Sequence, residues 1–475
     1  MNNLLVMKFG GTSMGSAERM QIAAQICRDQ AAKRPVLCVV SAMSKITDLL
    51  LDSLRKAEAG DRTDLSANLK VLRERHEEAC GKLLPASHQA KAAAGVAELL
   101  AEFDRISNGV LMLGERPPRA VDEAIAIGER LSSLLLATYL ESQGCPAQAV
   151  NGASLIATDA VFGNASPLAD ATRERCDTVA RPLLEKGVLP VVTGFNGSTL
   201  DGRPTTLGRG GSDFSASILA AALDAEELWI WTDVDGIMSA DPRLVPDAKV
   251  LPEVTYGEAA ELAYNGAKVL HPRTLAPLVE RKIPVWSKNS FNLSAPGTKI
   301  VPSITEDSHG PRAVTSIKNV AMIPIEPVAG GISGTRLMAR AVGALAGANA
   351  EILAITSSSY RQTFCFIVRQ EELQTVIGHL EDDLSLEITH GYVKPIVADE
   401  NVGLIAVVGE GMRGSQGLAG RIFSAISRED VNIIAIAQGS SESTIAIVVR
   451  REGLDKAVRA IHQECGMGVA VATES

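Results

Sequence analysis

The chain has 475 residues, with 46 lysines and arginines against 56 aspartates and glutamates, a net charge of −10 and 4% aromatic residues. This length is enough for two or three domains, and the acidity and scarcity of aromatics exclude a nucleic-acid-binding surface, which needs basic and stacking side chains. We expect neither a membrane span nor a secretory leader, because there is no long apolar run and MNNLLVMKFGG has no basic start.

The cysteines argue about the compartment. There are seven, an odd number, widely spaced, without a C-x-x-C pair and without neighbouring histidines. This pattern favours a reducing cytoplasm over a disulfide-rich setting, and it does not fit a zinc site.

Five apolar segments are predicted strands: 4–9, 35–42, 188–195, 227–236 and 282–289. They are apolar throughout rather than alternating, as expected for strands covered by helices on both faces. The fold class predicted is therefore α/β, a three-layer α/β/α sandwich with a mostly parallel sheet. Residues 50–140 are rich in helix formers and are predicted to lie as helices on one face. Turn and loop residues at 294–312 mark the predicted end of this domain.

The last 160 residues contain an internal repeat with an offset of 81, for example Arg340 with Arg421, Ile352 with Ile433 and Ser359 with Ser440. Each copy has the pattern strand, glycine loop, helix, strand, turn, strand, which predicts two small α+β modules in tandem. Within the second copy, residues 409–414 satisfy G-x-G-x-x-G. We do not interpret them as a dinucleotide site, because the first copy lacks the pattern and too few residues follow for such a domain.

The first chemical motif is Lys8-Phe9-Gly10-Gly11-Thr12-Ser13, at a strand end before a helix. Glycine N–H groups and a helix N-terminus attract phosphate, and a lysine can neutralise transferring phosphoryl oxygens. It is not a Walker A loop, since Ser16 occupies the position where that loop has lysine. A purely structural turn is the alternative.

Two further motifs follow strands. In Leu207-Gly208-Arg209-Gly210-Gly211-Ser212-Asp213, the loop is suited to an anion, Arg209 to a carboxylate, and Asp213 either to capping a helix or to pairing with Lys8. Thr232-Asp233 begins an Asp-rich turn that continues to Arg243, and with Lys268 it offers enough polar groups for a nucleotide. A capped turn is the alternative there.

Taken together, KFGGTS, VVSA, AIGERLS, TLGRGGSD, WTDVDGI with DPR, GAKVLHP and APGT resemble aspartate kinases in order and spacing. The resemblance covers essentially the whole chain. It implies the amino acid kinase fold at 1–300, followed by two ligand-binding ACT modules of ferredoxin-like α+β fold at 315–395 and 400–475.

The resemblance implies the reaction of ATP and L-aspartate to 4-phospho-L-aspartate and ADP, the first step towards the aspartate-family amino acids. Mg²⁺ is expected to arrive with ATP rather than on protein ligands. A side-chain carboxylate has a pKa near 4, so the acceptor is already ionised and no general base is needed. The chemistry is then positioning and charge neutralisation.

Roles carried over from the family fall into three sets. The catalytic set is expected to stabilise the transferring phosphoryl group, with Asp213 orienting the lysine: Lys8, Gly10, Gly11 and Asp213. The aspartate-binding set has Glu129 for the ammonium and Arg209 for the α-carboxylate: Ser41, Thr47, Glu129, Arg209 and Ser212. The ATP-binding set includes Met238, where family members often carry tyrosine: Lys8, Phe9, Gly10, Gly11, Ser13, Thr232, Asp233, Met238, Arg243, Lys268 and Val269.

The ACT pair implies regulation by an amino acid, lysine or threonine by default, and homo-oligomers that associate through these modules. Ser440-Ser441-Glu442 matches the family's usual turn, whereas the first copy has Ser359-Tyr360-Arg361, in which Arg361 reverses the charge. The predicted effector residues are Ser359, Ser440, Ser441 and Glu442. A pair that serves mainly for dimerisation is the alternative.

Two rival functions remain open. The first is a related kinase that acts on glutamate or N-acetylglutamate. One methylene in the substrate changes the free energy of recognition by only about 1–3 kcal/mol, so sequence chemistry alone does not exclude it. A non-catalytic amino-acid sensor would not need a phosphoryl clamp. We expect no fused dehydrogenase domain, which some relatives carry, because the sequence ends with the second ACT copy.

Overall fold

The computed structural model describes residues 3–267, 270–304, 310–328, 333–358 and 363–468. Contacts divide the chain into two units. The first unit comprises Met1–Ile237, Pro252–Tyr256 and Leu270–Ser303, and the second comprises Met238–Leu251, Gly257–Val269 and Ile304–Ser475. Two short segments of the predicted kinase domain, 238–251 and 257–269, thus group with the second unit.

The described residues form the following elements. The strands are β1 (Leu5–Phe9), β2 (Val36–Val40), β3 (Ala147–Val150), β4 (Leu189–Thr193), β5 (Asn196–Ser198), β6 (Pro204–Thr206), β7 (Glu227–Thr232), β8 (Glu253–Thr255), β9 (Val285–Asn289), β10 (Thr298–Val301), β11 (Ala313–Ile325), β12 (Ala354–Ser358), β13 (Thr363–Arg369), β14 (Asp399–Val408), β15 (Ile433–Gln438) and β16 (Thr444–Arg450). The helices are α1 (Ala17–Ala31), α2 (Ile46–Glu58), α3 (Arg62–Leu83), α4 (Ala86–Leu113), α5 (Pro118–Ile125), α6 (Ile127–Ser142), α7 (Ala169–Glu185), α8 (Gly211–Ala222), α9 (Tyr256–Tyr264), α10 (Pro272–Arg281), α11 (Gly334–Gly347), α12 (Leu373–Asp383), α13 (Ser385–Thr389), α14 (Leu418–Arg428) and α15 (Leu454–Glu464). None of the helices described is both long and apolar enough to cross a membrane.

The first unit is built on a sheet with the strand order β3-β4-β2-β1-β7-β9-β10-β8. All neighbouring strands run parallel except β9 and β10, so the predicted mostly parallel sheet is confirmed. Every residue of β1, β2 and β4 is buried, because helices cover both faces of these central strands. The five predicted strands are all present.

The two faces of β1 pack against different helices. Phe9 belongs to a core that includes residues of α1, α2, α3, α4 and α6, which confirms the predicted helical stretch on one face. Neighbouring residues of a strand point to opposite faces, so Lys8 points to the other side, where its partner Asp213 lies on α8. The sandwich therefore places the lysine between the sheet and α8.

The predicted loop at 294–312 is wrong in part, because Thr298–Val301 forms β10. This strand pairs antiparallel with β9 and parallel with β8, and its β-branched residues favour extended backbone. Sequence reasoning also missed the edge strand β3, whose two central residues are exposed and which therefore lacks a continuous apolar run.

The second unit contains an antiparallel sheet with the order β12-β13-β11-β14-β16-β15. Strands β11 and β14 begin the two repeat copies and pair with each other, so the copies share one sheet. The predicted tandem modules are confirmed, and each copy also has a closing helix, α12 or α15, that the repeat pattern did not predict. The glycine pattern at 409–414 follows β14, whose neighbours are antiparallel, unlike the parallel βαβ unit of a dinucleotide fold.

Side-chain contacts hold the two inserted segments within the second unit. Ser239 Oγ lies 3.0 Å from Nε2 of buried His462 on α15. Glu258 on α9 is buried, accepts the backbone N–H of Glu410 at 3.1 Å, and pairs with Arg312 at 3.1 Å. Burial lowers the pKa of His462, so its imidazole is neutral near pH 7.

Candidate active site

The predicted site residues of the first unit gather where parallel strands end at one edge of the sheet. Phe9 is in register with Val40 and Trp231, and Val40 with Thr193. Backbone bonds continue this alignment beyond the strands, since Ser41 N–H donates to the Phe9 carbonyl at 3.1 Å. Ligands of open α/β sheets bind at this edge.

The glycine turn follows β1 directly. Gly10 N–H donates to the Trp231 carbonyl at 3.2 Å, which fixes the turn to β7. A Cβ atom on Gly10 would lie 3.5 Å from Lys8 Nζ, and one on Gly11 would lie 3.2 Å from the Ala42 carbonyl oxygen. Glycine therefore keeps the space beside the lysine free of side chains, as a phosphate-binding turn requires.

Lys8 and Asp213 are brought together across 205 positions of the sequence, with Nζ 2.6 Å from Oδ1. The lysine side chain is 10% exposed and that of Asp213 is 23% exposed. Gly210, not Asp213, caps α8, and Asp213 lies in the first turn of the helix. The carboxylate holds the ammonium group beside the glycine turn and compensates part of the cost of burying it.

Glu129, on α6, is buried rather than a surface charge. Its Oε1 accepts the Ala42 N–H at 3.1 Å, and its Oε2 is buried without a hydrogen-bond partner. Burial raises its pKa from the ordinary value of 4.5 to about 8, although the Ala42 N–H and the charge of Lys8 act in the opposite direction. A buried carboxylate with one unpaired oxygen is suited to a cationic partner.

The predicted anion loop leads into α8. Gly208 and Gly210 have φ values of +75° and +69°, a left-handed conformation that glycine adopts without strain, and Arg209 between them is exposed. Ser212 is the second residue of α8, and a Cβ on Gly194 would lie 2.8 Å from the Ser212 Cβ atom. Thr47 is half-buried in the first turn of α2, which follows Ser41 and Ala42 along the chain.

Two residues that hold this loop were missed by sequence reasoning. Buried Asp122 accepts the N–H and the hydroxyl of Thr206, at 2.9 and 2.8 Å. Arg273 donates to the Leu207 carbonyl at 3.1 Å and to the Ala165 carbonyl at 2.8 Å. Asp122 has no local sequence signal, whereas Arg273 directly follows the GAKVLHP motif and its position was a usable hint.

The predicted ATP-binding residues are distributed over both units. Thr232 ends β7 in the first unit, and Asp233 follows it directly. Met238 and Arg243 belong to the second unit, where Arg243 pairs with Asp241 at 2.6 Å and is mostly exposed. Lys268 and Val269 lie outside the described residues. Ser13 is 1% exposed, and its hydroxyl contacts Ser290.

Two of the predicted effector residues of the second copy, Ser440 and Ser441, line a cleft within the second unit. This cleft has a volume of about 490 Å³ and is lined by Glu410, Arg413, Ser440, Ser441 and Ser443. Glu442 accepts the Gly414 N–H at 2.9 Å, which ties the turn to the glycine loop. Ser359 lies outside the described residues.

Within the described part of the chain, no cluster of three or more His, Cys, Asp or Glu side chains is arranged to hold a metal ion. The glycine turn with Lys8 is instead suited to phosphate oxygens.

Comparison with known proteins identifies the family. A model of the amino acid kinase family matches residues 3–289, and a model of the ACT domain matches residues 405–465. Aspartokinase 2 of Arabidopsis thaliana, a chloroplastic protein, is 31% identical over 96% of this chain and 83% of its own length. The chain belongs to the aspartokinase family of amino acid kinases.

Solved aspartokinases share its fold. Escherichia coli aspartokinase III, in complex with aspartate and ADP, has a TM-score of 0.82 at 30% identity and covers 97% of this chain and 99% of its own. A bifunctional aspartokinase/homoserine dehydrogenase from Haemophilus influenzae is 34% identical over 96% of this chain. The chain spans 56% of the length of that bifunctional relative, and about half the length of several plant ones.

Proposed function

We propose that the protein is an aspartate kinase, which transfers the γ-phosphoryl group of ATP to the side-chain carboxylate of L-aspartate. The observation that carries this proposal is the Lys8–Asp213 pair beside the glycine turn, at the strand edge that also holds Glu129. The family and the aspartate and ADP bound to E. coli aspartokinase III support the choice of substrates.

In this proposal, the aspartate carboxylate attacks the γ-phosphorus, a P–O bond to it forms, and the bond to the leaving ADP oxygen breaks. The acceptor is ionised at neutral pH, so no side chain has to remove a proton. Lys8 neutralises charge on the transferring group, and Asp213 keeps the ammonium in place. Mg²⁺, carried by ATP, neutralises phosphate charge when it is bound.

Recognition of aspartate is proposed to use both ends of the amino acid. Glu129 Oε2, buried and unpaired, would accept the α-ammonium, and Arg209 would hold the α-carboxylate. Ser41, Thr47 and Ser212 are proposed as hydroxyl contacts. Asp122 and Arg273 would act indirectly, by fixing the loop that carries Arg209.

The test is a comparison of ADP release from MgATP with L-aspartate, L-glutamate or no acceptor, with hydroxylamine present to trap an acyl phosphate. We expect aspartate-dependent ADP release and a matching hydroxamate. Turnover with glutamate alone would refute the substrate assignment. If the folded protein releases no ADP with any acceptor, the rival function of a non-catalytic amino-acid sensor is favoured.

We also propose that the cleft in the second unit binds a free amino acid that regulates the kinase. Arg413 is suited to a carboxylate, Glu410 to an ammonium and the three serines to further polar contacts. A related aspartokinase III structure contains lysine.

Exposed Ile355 on β12 and Ile436 on β15 support association of copies through this unit. The unpaired cysteines support a cytoplasmic setting.

The effector proposal predicts that lysine or threonine releases or absorbs heat in isothermal titration, and that Arg413→Ala weakens binding by about tenfold or more, because a charged hydrogen bond is lost. Arg336→Ala, which changes an exposed arginine of the first copy, is the matched control and should leave binding unchanged. Absence of heat with both amino acids, or unchanged affinity in Arg413→Ala, would count against this cleft.

A further inference from the structure

Ser290, which belongs to none of the recognised motifs, lies at a junction of the first unit. It follows β9 directly and is 2% exposed. Its neighbours belong to the glycine turn, the end of β7 and the start of α1. A buried hydroxyl at such a junction needs hydrogen-bond partners, and the partners define what it holds.

The Ser290 hydroxyl joins two segments that are predicted to bind ATP. Its Oγ lies 2.8 Å from Ser13 Oγ in the glycine turn and 3.2 Å from the Thr232 carbonyl oxygen at the end of β7. The backbone N–H of Ser290 donates to the same carbonyl at 2.9 Å. Ser290 thus fixes the spacing between the turn and the strand end.

Arg19, in the first turn of α1, braces Ser290 from a third side. Its Nη2 donates to the Ser290 carbonyl at 2.6 Å and to Ser290 Oγ at 2.9 Å. The guanidinium carbon lies 3.5 Å from the ring centroid of Phe291, a cation–π contact that holds the arginine in place. The loop is also tied to the Asp-rich turn, since Asn289 Nδ2 donates to Asp235 at 2.7 Å.

The hydrogen atoms around the Ser290 hydroxyl can be assigned so that all of its hydrogen-bonding positions are used. A serine hydroxyl has one hydrogen to donate and two lone pairs. If Ser290 donates to Thr232, it accepts from Arg19 and from Ser13, and all its positions are used. In this arrangement the hydroxyl of Ser13, which is 1% exposed, points to Ser290 and not towards solvent.

We propose that Ser290, braced by Arg19, is a positioning residue for the nucleotide, and that Ser13 acts through it by holding the glycine turn rather than by touching ATP. This inference rests on the proposed function, since it assumes that the turn binds phosphate. A turn that is already fixed before binding loses less conformational entropy when the phosphates arrive, which improves affinity. The aspartate subsite, which uses other residues, is unaffected.

The experiment is a double-mutant cycle with MgADP as the titrant in calorimetry. We expect Ser290→Ala and Ser13→Ala each to weaken MgADP binding by about tenfold, and the double variant to bind within about twofold of the singles, because both remove the same bond. The KM for ATP should rise in Ser290→Ala while the KM for aspartate stays within about twofold. Ser294→Ala, an exposed serine of the same loop, is the matched control.

Ser290→Ala that binds MgADP as wild type does, or single effects that multiply in the double variant, would overturn the inference, as would an equal rise in both KM values. If Ser290→Ala does not fold, Ser290→Cys, close in size but a weak hydrogen-bonding group, takes its place in the cycle. If wild-type protein binds MgADP but shows no aspartate-dependent turnover, the proposed function is refuted. The double-mutant cycle can then still be measured by MgADP binding. Failure to bind MgADP would overturn both.

Discussion

Replacing Lys8 with alanine should lower kcat at least a hundredfold, equivalent to about 2.7 kcal/mol of transition-state stabilisation. In the proposed function, Lys8 Nζ, held 2.6 Å from Asp213 at the glycine turn, neutralises charge on the transferring phosphoryl group. The KM for aspartate should change little, because Lys8 is not assigned to aspartate recognition. Steady-state kinetics with both substrates varied provides the measurement.

The loss must be separated from misfolding, because removing one partner of a largely buried ion pair leaves the other uncompensated. Lys8→Met keeps most of the apolar stem and should lose kcat to the same extent. Lys33→Ala, an exposed lysine after α1, is the control and should retain full activity. A kcat within fivefold of wild type in folded Lys8→Met would remove the lysine from the chemistry.

The KM for aspartate should fall as the pH rises, by about tenfold per unit below pH 8, and level off above it. Burial raises the pKa of Glu129 to about 8, so at lower pH most molecules carry a neutral carboxyl that cannot pair with the substrate ammonium. Glu129→Gln should abolish this dependence and raise the KM about a hundredfold, since a charged hydrogen bond is lost. The KM for ATP, measured over the same pH range, is the internal control.

The same carboxyl predicts a stability signature without substrate. Its folded pKa lies above the unfolded value of 4.5, so between pH 4.5 and about 8 the folded state binds the proton that the unfolded state has released. Stability from this group is therefore lost as the pH rises through that window. The difference in thermal stability between Glu129→Gln and wild type should therefore favour the variant more at pH 8.5 than at pH 5.5. The role assigned to Glu129 would be contradicted if the KM for aspartate did not change with pH and if Glu129→Gln changed thermal stability equally at pH 5.5 and pH 8.5.

Local sequence patterns were sufficient for the framework of the first unit and for the repeat in the second. Continuous apolar segments predicted β1 and β2 because both faces of these strands are buried. The same rule missed β3, an edge strand with exposed central residues. The antiparallel pairing of β11 with β14, which joins the two copies, is a property of the assembled sheet and leaves no local signal.

The candidate site was predictable where a motif contained the functional residue. The motif alone left Asp213 as a helix cap or a partner of Lys8, the resemblance to aspartate kinases implied the pairing, and the structure brings the two side chains into contact. Ser290 and Asp122 were not predictable, because their partners lie 277 and 84 positions away and a serine or aspartate alone carries no signal. The roles of Lys268, Val269 and Ser359 stay predictions, since these residues lie outside the described part of the chain.

The grouping of residues 238–251 and 257–269 with the second unit bears on how the protein can be divided. A catalytic fragment cut near residue 300 would keep Ser239 and Glu258 but lose His462, Arg312 and the Glu410 N–H. Glu258, which is buried in the full chain, would then lack these partners. The apolar surface of its helix would be exposed to water. Such a fragment would expose apolar surface and aggregate. Protease-resistant pieces of this protein should therefore not end at the boundary between the amino acid kinase segment and the ACT segments of the sequence.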